Sequence, residues 1–271
     1  MREQVEYLFE KNSTFRNIVA LSGLLIFWFS LSIALEAREP SIDLSVSQHN
    51  YPTFTWDRIP LYMHIRKAEA YTEEEIEFLA RFPLITFEKA NGHQGYGSIE
   101  KGTLIAARSV KSINPDATIL YYRNVFVHYG GYQVNKRLEQ IPGALLLDSD
   151  GNTKLVRKQV EAYDLSNSKM RDWWVNSCRI MTTDPTIDGI FIDGNIKALE
   201  PGYLRRQIGA DKKEKTINGY HALMQHTREA IGAHKLMIGN ILRARFNDAG
   251  LEYLDYFNGS YLEGFFHNAG G

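Results

Sequence analysis

One feature of the sequence constrains the fold more than any other. The chain contains short, almost continuously apolar runs that are separated by helix-like stretches. The runs are LITF (84–87), ATILYY (117–122), GIFI (189–192) and KLMI (235–238). A strand that is buried on both faces is apolar throughout, whereas a strand with one solvated face alternates. Buried strands joined by helices form a parallel sheet covered by helices on both sides. The pattern therefore predicts an α/β protein.

The predicted elements follow one another in βα order from about Ile59. Strands are predicted at 61–65, 84–88, 117–124, 188–194, 235–240 and 257–266. Helices are predicted at 72–82, 98–113, 168–181, 216–232 and 246–254. Thr72 and Glu75 have the spacing of a capping box at the start of the first helix. The segment 125–161 is irregular, with a predicted hairpin at 145–156 around a Ser-Asp-Gly-Asn turn.

Two common architectures contain a parallel sheet of this kind. A doubly wound nucleotide-binding fold has a glycine-rich turn after its first strand, but the stretch MHIRKAEAYTEEE has no glycine. We therefore expect a (β/α)8 barrel of the TIM type over residues 59–271. A complete barrel takes roughly 250 residues, and about six βα units are visible here. We expect the barrel to be incomplete at its C-terminus.

The amino-terminal segment differs in composition from the rest. Residues 17–35 carry no charge, whereas charged residues stand on both sides of them. Their length lies between that of a signal-peptide core and that of a transmembrane helix, which needs about 20 apolar residues. We expect residues 1–37 to be a signal peptide, with cleavage after Ala34, or a signal anchor, followed by a linker at 38–58. The protein is then secreted or extracellular, or else anchored to a membrane through this segment alone.

The charge balance and the cysteine count exclude several classes of function. Lys plus Arg number 31 and Asp plus Glu number 32, which gives a formal net charge of −1. Because a phosphate backbone requires a positive surface, nucleic acid is not an expected partner. Cys178 is the only cysteine, and the histidines never form an HExxH-like spacing. We expect neither a metal nor another cofactor.

Polar side chains stand at or just beyond the end of every predicted strand. In a barrel, the chemistry lies where the strands run into the following loops. Asp193 ends a buried apolar strand, where a carboxylate without a function would carry a desolvation cost. Glu263 ends another strand, between two glycines. Asp193 and Glu263 are the predicted catalytic residues. The predicted substrate-binding residues are His64, Glu88, Tyr122, Arg123, Asn124, Asn195 and Asn240.

Two carboxylates at one barrel mouth, with tyrosines and amides nearby, favour cleavage of a glycosidic bond. One carboxylic acid protonates the departing oxygen, and the other carboxylate acts as a nucleophile or activates water. The sequence does not show which carboxylate is the acid, or whether the anomeric configuration is retained. The expected partner is a carbohydrate substrate.

The stretch from Phe54 to Glu263 also resembles a known family. The similarity lies in FTWDRIPLYMHIRKAEAYTEEEIEFLARFPLITFEKANG, in YYRNV, in the helix with two adjacent tryptophans and especially in DGIFIDGN. The stretch is similar to the barrel proteins classed as hypothetical glycoside hydrolase family 15. Strands like DGIFIDG also occur in other barrel glycosidases. The resemblance implies an extracellular carbohydrate-active barrel, with Asp193 on the aspartate-bearing strand of the family. It implies no role for Glu263.

The predicted function is hydrolysis of the O-glycosidic bonds of a polysaccharide by a secreted enzyme. Two alternatives remain open. A polysaccharide lyase on the same scaffold would use Tyr122 or His64 as a base, and Arg123 to neutralise a uronate carboxylate. A noncatalytic carbohydrate-binding or membrane-tethered protein would bind sugars without cleaving them.

Overall fold

The computed structural model describes residues 51–52, 55–57, 59–242 and 255–263, which all belong to the compact unit Ser45–Gly271. The predicted signal segment 1–37 and the predicted helix 246–254 lie wholly outside the described residues. Most of the predicted linker 38–58 also lies outside them. No helix in the described part is long and apolar enough to cross a membrane.

Six parallel strands form one sheet in the order β1-β2-β3-β4-β5-β6. They are β1 (Tyr62–Ile65), β2 (Leu84–Phe87), β3 (Thr118–Asn124), β4 (Gly189–Asp193), β5 (Leu236–Asn240) and β6 (Gly259–Tyr261). The strand order equals the chain order, as expected for consecutive βα units with crossovers of one hand. The predicted α/β class with a parallel sheet is confirmed. The last strand is shorter than predicted, and 264–266 lie outside the described residues.

The described residues also form helices around the sheet. They are α1 (Glu73–Leu79), α2 (His93–Tyr96), α3 (Ile99–Ile113), α4 (Asn135–Leu138), α5 (Ser168–Thr182), α6 (Asn195–Leu199), α7 (Arg205–Ile208) and α8 (Ala210–Ile231). The capping box of Thr72 and Glu75 is confirmed, since each residue's side chain accepts the other's backbone N–H. Helix α8 begins at Ala210 and not at Thr216, because tertiary contacts extend it: the buried Lys213 donates to two carbonyls of α6.

The hairpin predicted at 145–156 is only partly right. Its turn exists, since the Asp148 N–H donates to the Asn152 carbonyl over 3.1 Å. Its two arms do not pair with each other, however. Leu145 pairs with Tyr163, and Val156 pairs with Val160. The arms separate because their buried apolar residues pack against the chain that returns toward α5.

The sheet is curled so that its first and last strands approach each other. The rings of Tyr62 in β1 and Tyr261 in β6 have centroids 5.8 Å apart. Neighbouring strands are spaced by about 4.8 Å, so five spacings in a flat sheet would separate these strands by roughly 24 Å. The inner face therefore encloses a small apolar cluster. The outer face packs against the helices through a much larger one.

Candidate active site

The alternation of side chains in β3 determines which residues reach the inner face of the curled sheet. Successive side chains of a strand point to opposite faces. Tyr122 belongs to the inner apolar cluster, whereas its neighbour Tyr121 belongs to the outer one. Asn124 stands two residues after Tyr122, and the register places it opposite Asp193 at the end of β4. The carboxyl ends of β3 and β4 thus present polar groups to a common space.

The carboxylate of Asp193 accepts four hydrogen bonds. Its Oδ2 accepts the hydroxyl of Tyr122 at 2.6 Å and Nδ2 of Asn124 at 3.2 Å. Its Oδ1 accepts the backbone N–H of Gly194 at 2.7 Å and Nδ2 of Asn240 at 3.1 Å. All four partners are donors, and donors directed at a carboxylate stabilise its charge. The surroundings of Asp193 are therefore suited to an anion held in one orientation.

Two local features fix this arrangement. Oδ1 of Asn124 accepts the N–H groups of Phe126 and Val127 at 3.0 and 2.6 Å, so its amide nitrogen must face Asp193. Gly194 has φ +82°, and a Cβ at this position would lie 2.3 Å from Oδ1 of Asn124. A glycine is required here both by the left-handed backbone and by the close approach of this amide.

Asn240, at the end of β5, connects the two predicted catalytic carboxylates. Its Nδ2 donates to Oδ1 of Asp193 at 3.1 Å and to Oε2 of Glu263 at 2.9 Å. Because both bonds share one nitrogen, the two oxygens lie within about 6 Å of each other. The structure thus brings Asp193 and Glu263 together, although their separation in the chain is long. Their catalytic roles stay a prediction.

His64, a predicted substrate-binding residue, lies on the inner face among aromatic rings. Its ring centroid is 4.8 Å from that of Phe191 and 5.7 Å from that of Tyr261. Its Nδ1 is hydrogen-bonded to the hydroxyl of Tyr62 at 2.8 Å, and this hydroxyl also bonds Thr86 at 2.7 Å. The pattern of inward residues at 62 and 64 could have identified Tyr62 as well.

Burial and, to a smaller extent, the positive charge of Lys89 lower the pKa of His64 to about 4. The carboxylates of Asp193 and Glu263 act in the opposite direction. The imidazole is therefore neutral at neutral pH. A neutral imidazole carries both a donor and an acceptor, which suits contact with a sugar hydroxyl.

Sequence reasoning missed Lys89, which follows Glu88 in the loop after β2. Its ammonium lies 5.1 Å from the ring centroid of Tyr122 and 5.4 Å from that of Tyr129. It also contacts the carboxylate of Glu88, so this predicted binding residue lies at the same rim. Partial burial lowers the pKa of Lys89, while the nearby Asp193 opposes that shift. The only signal in the sequence that could have identified Lys89 as a site residue is its position just beyond the end of a strand.

The structure places Arg123 away from the site, which corrects the prediction that it binds substrate. It is 1% exposed and lies on the outer face, because it stands between the inward residues Tyr122 and Asn124. Its guanidinium lies over the rings of Tyr132 and Trp173, with centroids at 4.5 and 5.3 Å. Arg123 therefore packs between the sheet and the helices.

Asn195 is a second correction. Its side chain is fully buried, and all of its polar atoms are used within the protein. Nδ2 donates to the carbonyls of Ile192 and Asn240, and Oδ1 accepts the hydroxyl of Tyr220. Asn195 thus joins β4 and β5 to helix α8 and has no group left for a ligand.

Asp188 stands at the opposite end of β4 and has a structural role. Its carboxylate accepts the backbone N–H of Ile119 at 2.8 Å and pairs with Lys111. Within the described residues, no group of three or more His, Cys, Asp or Glu side chains could hold a metal ion.

The described part of the chain is thus an α/β protein with a curled parallel sheet and two carboxylates brought together at its carboxyl end. The model of hypothetical glycosyl hydrolase family 15 matches residues 111–271. Since this match covers more than half of the chain, the chain belongs to that family. No curated protein matches the chain.

One solved structure shows the same fold at low sequence identity, and a second is similar with a lower TM-score. A GH36 α-galactosidase from Geobacillus stearothermophilus in complex with raffinose has a TM-score of 0.51 and 14% identity, covering 75% of this chain and 30% of that one. An α-L-fucosidase from Paenibacillus thiaminolyticus has a TM-score of 0.47 and 16% identity, covering 73% and 34%. This chain thus spans about a third of the length of these structures. At such identities, the first likeness shows the fold alone.

Proposed function

We propose that this chain is a glycoside hydrolase that cleaves through the carboxylate pair Asp193 and Glu263. The observation that carries the proposal is the single amide nitrogen of Asn240 within hydrogen-bond distance of both carboxylates. Glycosidic cleavage needs two carboxyl groups on either side of the reacting bond. Membership of a glycosyl hydrolase family supports the same reaction.

The surroundings of the two carboxylates support different roles. Asp193 is held by four donors, and such a carboxylate is suited to act as the nucleophile. Glu263 is exposed and accepts one hydrogen bond from Asn240 within the described residues. It can therefore exchange a proton with solvent. We assign Glu263 as the general acid that protonates the departing oxygen.

The separation of the carboxylates supports retention of the anomeric configuration. Retaining enzymes place their carboxyl groups about 5–5.5 Å apart, whereas inverting enzymes leave about 6.5–9.5 Å for a water molecule. The two oxygens that share Asn240 are within about 6 Å of each other. We therefore infer a covalent glycosyl intermediate on Asp193, which water then hydrolyses with Glu263 acting as the base.

The finer parts of the proposal rest on the sequence. We infer that the six βα units belong to a TIM-type (β/α)8 barrel over residues 59–271, acting on a polysaccharide. The uncharged segment 17–35 supports export, with residues 1–37 as a signal peptide or signal anchor. The lyase alternative loses support, because Arg123 is buried on the outer face and cannot neutralise a uronate in the site.

The test compares Asp193→Asn and Glu263→Gln with the unchanged chain on a panel of aryl glycosides of both anomers. We expect Asp193→Asn to lower kcat at least about a thousandfold. Glu263→Gln should lower kcat strongly for poor leaving groups and little for activated phenols, because such phenols need no proton. Proton NMR should show the product first in the anomeric form of the substrate.

The matched control is Asp172→Asn, which neutralises an exposed carboxylate on α5. Its kcat should equal that of the unchanged chain. Full activity of folded Asp193→Asn would refute the assignment of Asp193. Sugar binding without cleavage by the unchanged chain would instead favour a noncatalytic carbohydrate-binding protein.

A further inference from the structure

Three positively charged side chains from three different βα segments stand beside the candidate active site. Arg66 follows β1, Lys89 lies just beyond β2, and Arg157 lies in the insertion after β3. The ammonium of Lys89 lies 5.1 Å from the ring centroid of Tyr122, whose hydroxyl donates to Asp193. The cations thus come from the β1–β3 side of the sheet.

The three charges act on common groups at this side of the site. Arg66 and Arg157 both lower the pKa of Lys89, although less than its partial burial does. Partial burial and Asp193 raise the pKa of Tyr129, whereas Arg157 and Arg66 oppose that shift. Arg66 and Arg157 are therefore close enough to repel the charge of Lys89, and all three cations lie near Tyr129.

Anions of the protein compensate Lys89, but neither of the two arginines is in an ion pair within the described residues. Glu88 pairs with Lys89. Within the described part of the chain, Arg66 and Arg157 are exposed and take part in no ion pair or side-chain hydrogen bond. The carboxylates of Asp193 and Glu263 also favour the charge of Lys89, and donors of the protein hold Asp193.

The backbone at Arg157 adds a second observation. Arg157 and Lys158 have φ of 53° and 55°, in the left-handed region that non-glycine residues rarely adopt. They form the tight turn between the paired residues Val156 and Val160. Strained backbone of this kind is concentrated at functional sites, where it fixes a side chain in one position.

We propose that the substrate is an anionic saccharide whose negative group binds among Arg66, Lys89 and Arg157. Its glycosidic oxygen then lies at Asp193 and Glu263. A carboxylate or a sulfate ester would neutralise the mutual repulsion of the cations and accept paired hydrogen bonds from an arginine. A neutral sugar would leave that repulsion in place. This inference rests on the proposed glycoside hydrolase function.

The experiment offers the complete 271-residue chain a panel of oligosaccharides matched in length. Each of the gluco, galacto and manno series is supplied as the neutral hexose, the uronic acid and the 6-O-sulfate. We expect kcat/KM for one anionic series to exceed that of its neutral counterpart at least about tenfold, and to fall as salt is added. Comparison of kcat/KM between the uronic acids and the 6-O-sulfates then identifies which anionic group the site binds.

Charge-removing variants test the site itself. We expect Lys89→Gln, Arg66→Gln and Arg157→Gln each to lower kcat/KM for the anionic substrate about tenfold or more. Arg66→Gln and Arg157→Gln should change kcat/KM for the neutral substrate little. The control is Arg179→Gln, which removes an exposed cation at the far end of α5 and should change neither value.

The possible outcomes separate the two proposals. Equal or faster cleavage of neutral sugars would overturn the anionic substrate and leave the hydrolase function intact. An unsaturated product would contradict hydrolysis while keeping the anionic site. If the chain neither binds nor cleaves any member of the panel, both proposals fall.

Discussion

At the scale of single residues, the hydroxyl of Tyr122 is the closest side-chain donor to Asp193, at 2.6 Å. Burial raises the pKa of Tyr122 far above its usual range, and the charge of Asp193 raises it further. The phenol therefore stays protonated at any working pH and always donates. A nucleophile held by a fixed donor needs little reorganisation during reaction.

Substituting Tyr122→Phe should lower kcat by about ten- to hundredfold, because a hydrogen bond to a charged group contributes about 1.5–3 kcal/mol. The free energy of unfolding should fall by no more than about 1.5–3 kcal/mol, because the variant loses this hydrogen bond while the ring remains in the inner cluster. Steady-state kinetics and urea denaturation measure the two effects. The control is Tyr121→Phe on the outer face, where the hydroxyl has no hydrogen-bond partner in the described part of the chain. Equal kcat values for the two variants would contradict the role of Tyr122.

Neighbouring residues also show how far the sequence predicts the site. A polar residue at the end of an apolar strand pointed to Asp193, Asn124 and Asn240, which the structure brings into contact. Arg123 was misplaced because strand-end reasoning ignores the alternation of faces, which moves a side chain to the opposite side with each residue. Lys89 was missed because a loop has no periodic pattern that indicates where its side chains point.

At the scale of elements, β4 and the turn after it carry the site. Apolar strands and the helix caps were predictable because both depend on local sequence. The structure of the insertion after β3 was not predictable, because its backbone pairing depends on tertiary packing. Leu145 pairs with Tyr163, and not with the other arm of the predicted hairpin. Glycine at position 194 is a similar case, because its close contact with Asn124 comes from a different strand.

The substitution Gly194→Ala should therefore disturb the end of β4. The added Cβ would lie 2.3 Å from Oδ1 of Asn124, and φ +82° is unfavourable for alanine. We expect the free energy of unfolding to fall by about 1–3 kcal/mol, and kcat to fall as Asn124 moves from Asp193. Gly202→Ala is the matched control, because a Cβ there meets no atom within 4 Å. If both variants have equal stability and kcat, the proposed requirement for glycine is wrong.

At the scale of the whole molecule, the curl of the sheet brings the two carboxylates together. The sequence predicted parallel βα units, but the contact between β1 and β6 comes from twist accumulated over all six strands. No local pattern encodes it. The curl also buries His64 among rings from β4 and β6, where ionisation of its imidazole is opposed by burial and by Lys89.

This burial makes the stability of the fold depend on pH. The pKa of His64 falls from 6.5 to about 4 on folding. Between these values the unfolded chain binds more protons than the folded chain, so the free energy of unfolding decreases as pH falls from about 6.5 to about 4. The shift corresponds to a loss of roughly 3 kcal/mol from this residue over that range. The negative charges of Asp193 and Glu263 favour the protonated imidazole, so they oppose this lowering of the pKa.

Urea denaturation at several pH values between about 4 and 7 measures this dependence. His64→Gln removes the titrating group, so its free energy of unfolding should vary less with pH than that of the unchanged chain. His226→Gln removes an exposed imidazole on α8 and should keep the original dependence. If His64→Gln and His226→Gln show the same slope, the imidazole of His64 is not the group whose burial opposes protonation. If the free energy of unfolding depends less on pH in His64→Gln alone, the curled sheet holds the imidazole of His64 neutral beside the carboxylate pair.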